Sequence, residues 1–367
     1  MRSIVIFHPA LAPYRIDFFN SLHDAFDVSF YFEHQMPAEQ SFNMENLNKR
    51  IHFSYSILPS GLFGIKNLKL SVFKVLRREN PGVVFISEYT ILGILVLLYK
   101  FCFNRNLKIV ITCDDNLQMA QSVSQIKRFV RSLLLRHVDL VLLVNDKVKN
   151  WYEKCLPFKA KYFYFPIVQS DEEFRKELEK VMPLSNQLRQ SYHLENKKVI
   201  LYVGRLTKVK NVELLLEAFR ELFKTNKNVR LIIVGDGIEA PILQSQVNDL
   251  VKEGHVIFTG KKEGDELMAY YNLGDIFVLP SKYEPFGAVV NEALLAGCYV
   301  LCSSAAGASC LIDDGVNGNV FSPDSLQELV FLLKRSLDNV KTDKHNRMLL
   351  SYDVIVNSLV NEIKCLN

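Results

Sequence analysis

At 367 residues, 49% of them hydrophobic and 23% charged, the chain is too long for one ordinary core and too apolar for a disordered one, so two domains are expected. The net charge is +4, with 18 Lys/Arg against 12 Asp/Glu in residues 1–150 and 26 against 28 in the remainder; a basic first half suits an anionic membrane or acceptor and is too sparse for nucleic acid. Seven scattered cysteines (Cys102, Cys113, Cys155, Cys298, Cys302, Cys310 and Cys365) without any C-x-x-C argue against a disulfide framework or zinc site and for a reducing compartment.

The opening MRSIVIFHPALAPYRIDFF has a short apolar run that ends at His8-Pro9 and passes into a polar helix, so it reads as a first strand and not as a signal peptide. The first-half strands are expected at Ser3–His8, Val28–Phe32, Val83–Ser87, Lys108–Cys113 and Leu140–Val144. The longest apolar stretch, Ile91 to Phe103 with Lys100 inside it, falls short of the ~20 residues of a membrane span. It is expected to be a buried helix, the protein to carry no transmembrane anchor, and its location to be cytoplasmic. A helix over 124–139 places Lys127, Arg128, Arg131 and Arg136 beside Ile126, Phe129, Val130, Leu133 and Leu134. Such a helix fits an anionic membrane surface, or, more commonly, packing on the sheet with a solvated basic face.

Tyr162–Pro166 and a charged helical stretch, SDEEFRKELEK, lie between the halves, and the boundary is expected near residue 167. Second-half strands are expected at Val199–Val203, Arg230–Val234, Val256–Thr259, Ile276–Leu279 and Tyr299–Cys302. Continuous apolar strands alternating with helices predict an α/β protein of two Rossmann-like, doubly wound parallel-sheet domains, with a cleft between them as the natural ligand site.

The densest chemical signal is LYVGRLTKVKNVELLLEAF. It puts Arg205 and Lys210 between the end of a strand and the start of a helix, where ligands bind in open α/β sheets. Two cations there suit a diphosphate; a solvated basic loop is an equally ordinary explanation of these residues alone. The second signal is LPSKYEPFGAVVNEALLAG. Glu284 is expected in the loop before a helix opening near Gly287, with Glu292 in that helix's second turn. The free amides of Gly287, Ala288 and Val289 make an anion site, and the two carboxylates are acceptors for sugar and ribose hydroxyls. The bland alternative is a helix-surface Glu292 and an N-terminal helix charge at Glu284.

Together, Arg205, Lys210 and the Glu284-x7-Glu292 spacing resemble the retaining glycosyltransferases of family 4, which have the GT-B fold. IIVGDG at 232–237, HVIFTG at 255–260, DIFVLPS at 275–281 and AGASCLIDDGVNGNVF at 306–321 agree with it. The resemblance implies that Arg205 and Lys210 bind the donor diphosphate, Glu292 the ribose hydroxyls and Glu284 the transferred sugar, with no metal and no resident cofactor. It also implies domains at 1–166 and 167–348, with a terminal helix at 349–367 returning to the first. The expected partners are a nucleotide-sugar donor and a glycan or lipid-linked acceptor, in surface-polysaccharide or lipopolysaccharide synthesis, peripherally at the cytoplasmic face of the membrane.

VGDGIEA at 234–240 fits the dinucleotide pattern G-x-G-x-x-A, which keeps an NAD(P) enzyme as an alternative. Against it, the unit's first strand is Val199–Val203, and Gly260-Lys261-Lys262 stands where a ribose-binding acid belongs. A non-catalytic sugar-nucleotide-binding homologue is the other alternative. In the first half, Ala12-Pro13-Tyr14-Arg15 resembles the pattern in a subset of the family and puts Tyr14 and Arg15 at the ligand; otherwise Tyr14 packs and Arg15 pairs with an acid such as Asp17. Asp114 follows strand Lys108–Cys113 where many family members carry a histidine. It is the expected sugar-hydroxyl acceptor or base, unless it caps the next helix. Glu88 and Tyr89 are comparable positions, and His8 reads as structural.

Overall fold

A computed structural model describes residues 3–35, 44–59, 61, 68–156, 158, 160–339 and 344–366. The chain divides into two compact units, residues 1–167 with 353–367, and residues 168–352.

The first unit is built on strands β1 (Ile4–His8), β2 (Val28–Phe32), β3 (Tyr55–Ile57), β4 (Val83–Ser87), β5 (Lys108–Cys113), β6 (Leu140–Leu143) and β7 (Lys161–Tyr164). They form one sheet in the order β3-β2-β1-β4-β5-β6-β7, with every pairing parallel. The central strands are apolar on consecutive residues because both faces are covered: all four residues of β6 are buried. Val84, Ile86, Ile109, Ile111 and Leu143 lie in the core on one side of the sheet. The C-terminal helix Tyr352–Lys364 belongs to this unit from Asp353 on, and its Glu362 takes Lys161 of β7 at 2.7 Å.

The second unit has β8 (Lys198–Val203), β9 (Val229–Val234), β10 (Val256–Gly260), β11 (Ile276–Leu279), β12 (Tyr299–Ser303) and β13 (Gly318–Phe321), ordered β10-β9-β8-β11-β12-β13 and again parallel. Helix Val212–Thr225 repeats its apolar residues at helical spacing. It buries Val212, Leu215, Leu216, Ala218, Phe219, Leu222 and Phe223 in the core of this unit.

In each sheet the strand order reverses once, between β1 and β4 and between β8 and β11. The carboxyl ends of strands at such a switch point splay their loops apart and leave a crevice for ligand. Topology therefore directs attention to the loops after β1, β4 and β5 in one unit and after β8 and β11 in the other.

Three differences from the sequence expectation are informative. The edge strands β3, β7 and β13 were not expected, because each is short and only partly buried, so none carries a continuous apolar run. Helix Asp171–Ser191, capped by Ser170, runs through Pro183 and does not stop before it. Helix Ile91–Cys102 buries Leu92, Leu95, Val96, Leu97 and Tyr99 but leaves Ile91, Leu98 and Phe101 exposed, so it is half-buried and not a fully buried helix. Among the described residues, no helix is long and apolar enough to cross a membrane.

Candidate functional site

In the second unit, the loop after β8 and the loop after β11 are tied together. Lys282 donates its backbone N–H to the Val209 carbonyl at 2.9 Å. Asn211 adopts a left-handed conformation (φ 56°), and its side-chain amide donates to the Pro280 carbonyl at 3.1 Å and the Pro323 carbonyl at 2.9 Å. Asn tolerates that conformation better than most residues. Held this way, Lys210 forms an ion pair with Glu284, both side chains being mostly buried. Arg205 stands exposed at the end of β8, and its carbonyl accepts the buried Tyr202 hydroxyl at 3.0 Å.

Glu284 is fixed on its other side by a short bridge. Its N–H donates to the Ala305 carbonyl at 3.3 Å, and its carbonyl accepts from Gly307 at 3.2 Å. Gly287 then turns the chain at φ 96°, where a Cβ would come within 2.9 Å of Leu279 and 3.1 Å of Glu284. The helix that follows spans Val289–Leu295, with Ala288 at its N-cap. It opens two residues later than expected from Gly287, so Glu292 lies in its first turn and not its second. Val289 therefore presents one of the amides that a helix start leaves without an intrahelical partner; Ala288 and Gly287 precede it.

Glu292 is held at both oxygens. The Tyr271 hydroxyl donates to Oε2 at 2.6 Å, and the Gln169 side-chain amide donates to Oε1 at 3.0 Å. The Gln169 backbone N–H donates to Asn291 Oδ1 at 2.9 Å. Burial and the Glu292 charge push the Tyr271 hydroxyl well above its usual range, so the proton stays on the phenol and the carboxylate accepts. Sequence reasoning did not single out Tyr271, Gln169 or Asn211. Tyr271 sits in an apolar helix, Gly264–Leu273, where nothing marks a tyrosine as other than core, whereas an Asn directly before a helix could have been read as a left-handed turn.

The G-x-G-x-x-A segment also has a place. A Cβ on Gly235 would fall 1.8 Å from the Gly204 carbonyl oxygen, and one on Gly237 would fall 2.3 Å from that of Leu206. Leu206 and Asp236 share a backbone hydrogen bond at 2.9 Å. These glycines let the loop after β9 press against the Arg205 loop, which accounts for them without a dinucleotide.

In the first unit, Arg15 and Asp114, 99 residues apart, form an ion pair in which Arg15 is buried and Asp114 is half-buried. Arg15 does not pair with Asp17, whose partner is Arg50 at 3.5 Å. Asp114 does not cap the following helix; Asn116 does, accepting from the Met119 amide at 2.8 Å. Tyr14 is half-buried beside Arg15, in the turn Pro13–Arg15. His8 is structural in its contacts, bonding the Ala10 carbonyl at 2.9 Å, and burial with the nearby Arg15 charge lowers its pKa to about 4. Asp115 takes Arg131 at 3.0 Å, and the same guanidinium donates to the Ala120 carbonyl at 2.7 Å. Arg131 is thus 4% exposed and belongs to this network and not to the solvated basic face.

Glu88, directly after β4, has φ 59° and accepts the Asp114 amide at 2.8 Å. Burial, then the Asp115 and Asp114 charges, raise its carboxyl to about 8. Ligand-capable atoms of Glu88, Cys113 and Asp115 lie within 4.8 Å of one another. Burial raises the Cys113 thiol well above its ordinary range, and Asp115 is paired with Arg131. An acid whose pKa rises on folding loses stability as pH climbs from its unfolded value near 4.5 through about 8. Glu88→Gln, which keeps the carbonyl acceptor, is therefore expected to gain thermal stability relative to wild type as pH is raised from about 5 to 8, by melting curves across pH; a pH-independent difference would contradict the assignment.

With this geometry in view, comparison with known proteins is informative. Residues 185–348 match the family described as glycosyl transferases group 1. Alpha-D-kanosaminyltransferase of Streptomyces kanamyceticus is 26% identical over 205 residues, 56% of this chain and 53% of the relative. Lipopolysaccharide 1,2-N-acetylglucosaminetransferase of Salmonella typhimurium is 31% identical over 206 residues, 54% and 52%. The chain thus spans about half the length of these curated relatives. Anabaena Alr3699/HepE, solved in complex with UDP, superposes over 100% of both chains with a TM-score of 0.75 at 19% identity, a likeness of fold that agrees with two parallel α/β domains of the GT-B class. The family match falls on the unit that carries Arg205, Lys210, Glu284 and Glu292.

Proposed function

We propose that this chain is a retaining glycosyltransferase that moves a hexose-type sugar from a nucleotide-diphospho-sugar to a glycan or lipid-linked acceptor, without a metal ion or resident cofactor, in surface-polysaccharide or lipopolysaccharide synthesis. The observation that carries this reading is the set at the β8/β11 switch point: two cations for a diphosphate beside two carboxylates for hydroxyls, in the family-matched unit. The names of the relatives support it. HepE has been solved in complex with UDP and with UDP-glucose, and the Salmonella relative is a lipopolysaccharide 1,2-N-acetylglucosaminetransferase.

In this reading Glu292 accepts from ribose hydroxyls, and Glu284 from hydroxyls of the sugar. As the bond between the anomeric carbon and the phosphate oxygen breaks, negative charge grows on the departing diphosphate. Arg205, Lys210 and the amides of Gly287, Ala288 and Val289 stabilise that charge without having to reorganise. Lys210 has three N–H donors, so pairing with Glu284 does not exhaust it. In the first unit, Asp114, paired with Arg15, is the carboxylate we assign to the acceptor.

A ligand that binds only the folded state raises its melting temperature, by about 2.7 kcal/mol of added stability at 100 times Kd. One of the UDP-, GDP- or ADP-sugars is expected to stabilise the wild type and to lose that effect in Arg205→Ala. Stabilisation by NADP alone, or no stabilisation by any sugar nucleotide, would overturn the proposal.

The outer face of helix Gln125–Leu135 favours work at an anionic membrane on the cytoplasmic side. Ile126 is 78% exposed and Phe129 69%, beside exposed Lys127 and Arg128, with no acidic residue in the helix. Co-sedimentation is expected with phosphatidylglycerol vesicles and not with phosphatidylcholine vesicles, and to be lost in Ile126→Ser/Phe129→Ser. Equal sedimentation with both lipids, or binding unaffected by the substitutions, would remove the membrane from the account.

A further inference from the structure

Both side-chain oxygens of Glu292 receive neutral donors from surrounding side chains. The Tyr271 hydroxyl reaches Oε2 at 2.6 Å and the Gln169 amide reaches Oε1 at 3.0 Å. Tyr271 is fully buried and Gln169 is nearly so, so neither side chain is free to wander. A carboxylate on its own turns about its last torsion in a broad well. One donor at each oxygen from two different elements, helix Gly264–Leu273 and the segment before helix Asp171–Ser191, fixes both its plane and its tilt.

The direction of these bonds has a chemical consequence. Tyr271 and the Gln169 amide both donate, and a phenol held far above its ordinary pKa does not surrender its proton. Glu292 is thereby kept as an acceptor with about four lone-pair positions, two of them used by these donors. Whatever it recognises must bring hydrogen, as a ribose hydroxyl does and a phosphate oxygen does not. Lys210 and Glu284, in contrast, neutralise each other across the adjacent loops.

We propose that Tyr271, assisted by Gln169, is the positioning residue that holds Glu292 for ribose recognition, and so sets the preference for ribonucleotide over deoxyribonucleotide donors. This rests on the reading that Glu292 takes ribose hydroxyls. A hydroxyl that served only its own satisfaction in the core would alter stability and leave that preference unchanged.

The test uses the full chain and titration calorimetry with UDP, GDP and ADP, each beside its 2′-deoxy and 3′-deoxy forms. For the base that binds, wild type is expected to favour the ribose form at least tenfold over one deoxy form. Tyr271→Phe is expected to cut that ratio to threefold or less while affinity for the deoxy form stays within about twofold, since only the hydroxyl contact is lost. Glu292→Gln should abolish the ratio. If Tyr271→Phe melts too low to titrate, Gln169→Leu, which spares the backbone bond to Asn291, should lower the ratio in the same direction. Binding with a wild-type ratio in the Tyr271 and Gln169 variants overturns the positioning role alone. Binding of nucleotides by wild type with no preference for ribose overturns the Glu292 assignment with it, and binding of none of them overturns the proposed function itself.

Discussion

The ion pair between Lys210 and Glu284 joins two loops 74 residues apart, and the arrangement of the second-unit site depends on it. Both side chains are largely withdrawn from water, where an unpaired charge costs several kcal/mol, so neither loop is expected to stand alone in this conformation. The pair is supported by uncharged bonds that give it register: Lys282 to Val209, Asn211 to Pro280, and Gly307 to Glu284. A switch point in the strand order opens the crevice, and these bonds place one positive and one negative group beside it. Arg205 then contributes a second, exposed cation at the end of β8.

The same logic is repeated, with different residues, in the first unit. There Arg15 crosses from the turn after β1 to Asp114 after β5, and Arg131 reaches Asp115 from a helix further along the chain. Glu88 occupies the strand end between them, in a left-handed conformation that a glutamate adopts only under constraint. Its carboxyl has Asp114 and Asp115 as charged neighbours and holds its proton into the neutral range. In the second-unit site Lys210 neutralises Glu284, whereas here the Glu88 acid is settled by a proton.

Much of this was legible in the sequence, and the limits were physical. Central strands such as Val83–Ser87 and Ile276–Leu279 announced themselves because burial on both faces forces an unbroken apolar run. Edge strands such as Gly318–Phe321 did not, since one partner strand and half-burial leave no such signature. Arg205, Lys210, Glu284 and Glu292 stood out because each follows a strand end in a recognisable string. The partner of Arg15 could not be read, because Asp17 is two residues away and Asp114 becomes its neighbour only through the order of strands in the sheet. Tyr271 was invisible for the opposite reason: an aromatic side chain in an apolar helix looks like core, and only its hydroxyl, pointing at Glu292, says otherwise.

If the Lys210–Glu284 pair organises the donor site, the two residues must act as a unit on ligand affinity. On the proposed reading, removing Lys210 leaves a mostly buried carboxylate facing the donor diphosphate, and removing Glu284 first relieves that repulsion. The decisive measurement is a double-mutant cycle on the affinity for the sugar nucleotide that stabilises the protein, using Lys210→Met, Glu284→Gln and the double variant. The account predicts that Lys210→Met costs tenfold or more in the presence of Glu284 and markedly less in the Glu284→Gln background, a coupling above about 1 kcal/mol. Strictly additive losses would contradict it and leave the two residues as independent contacts.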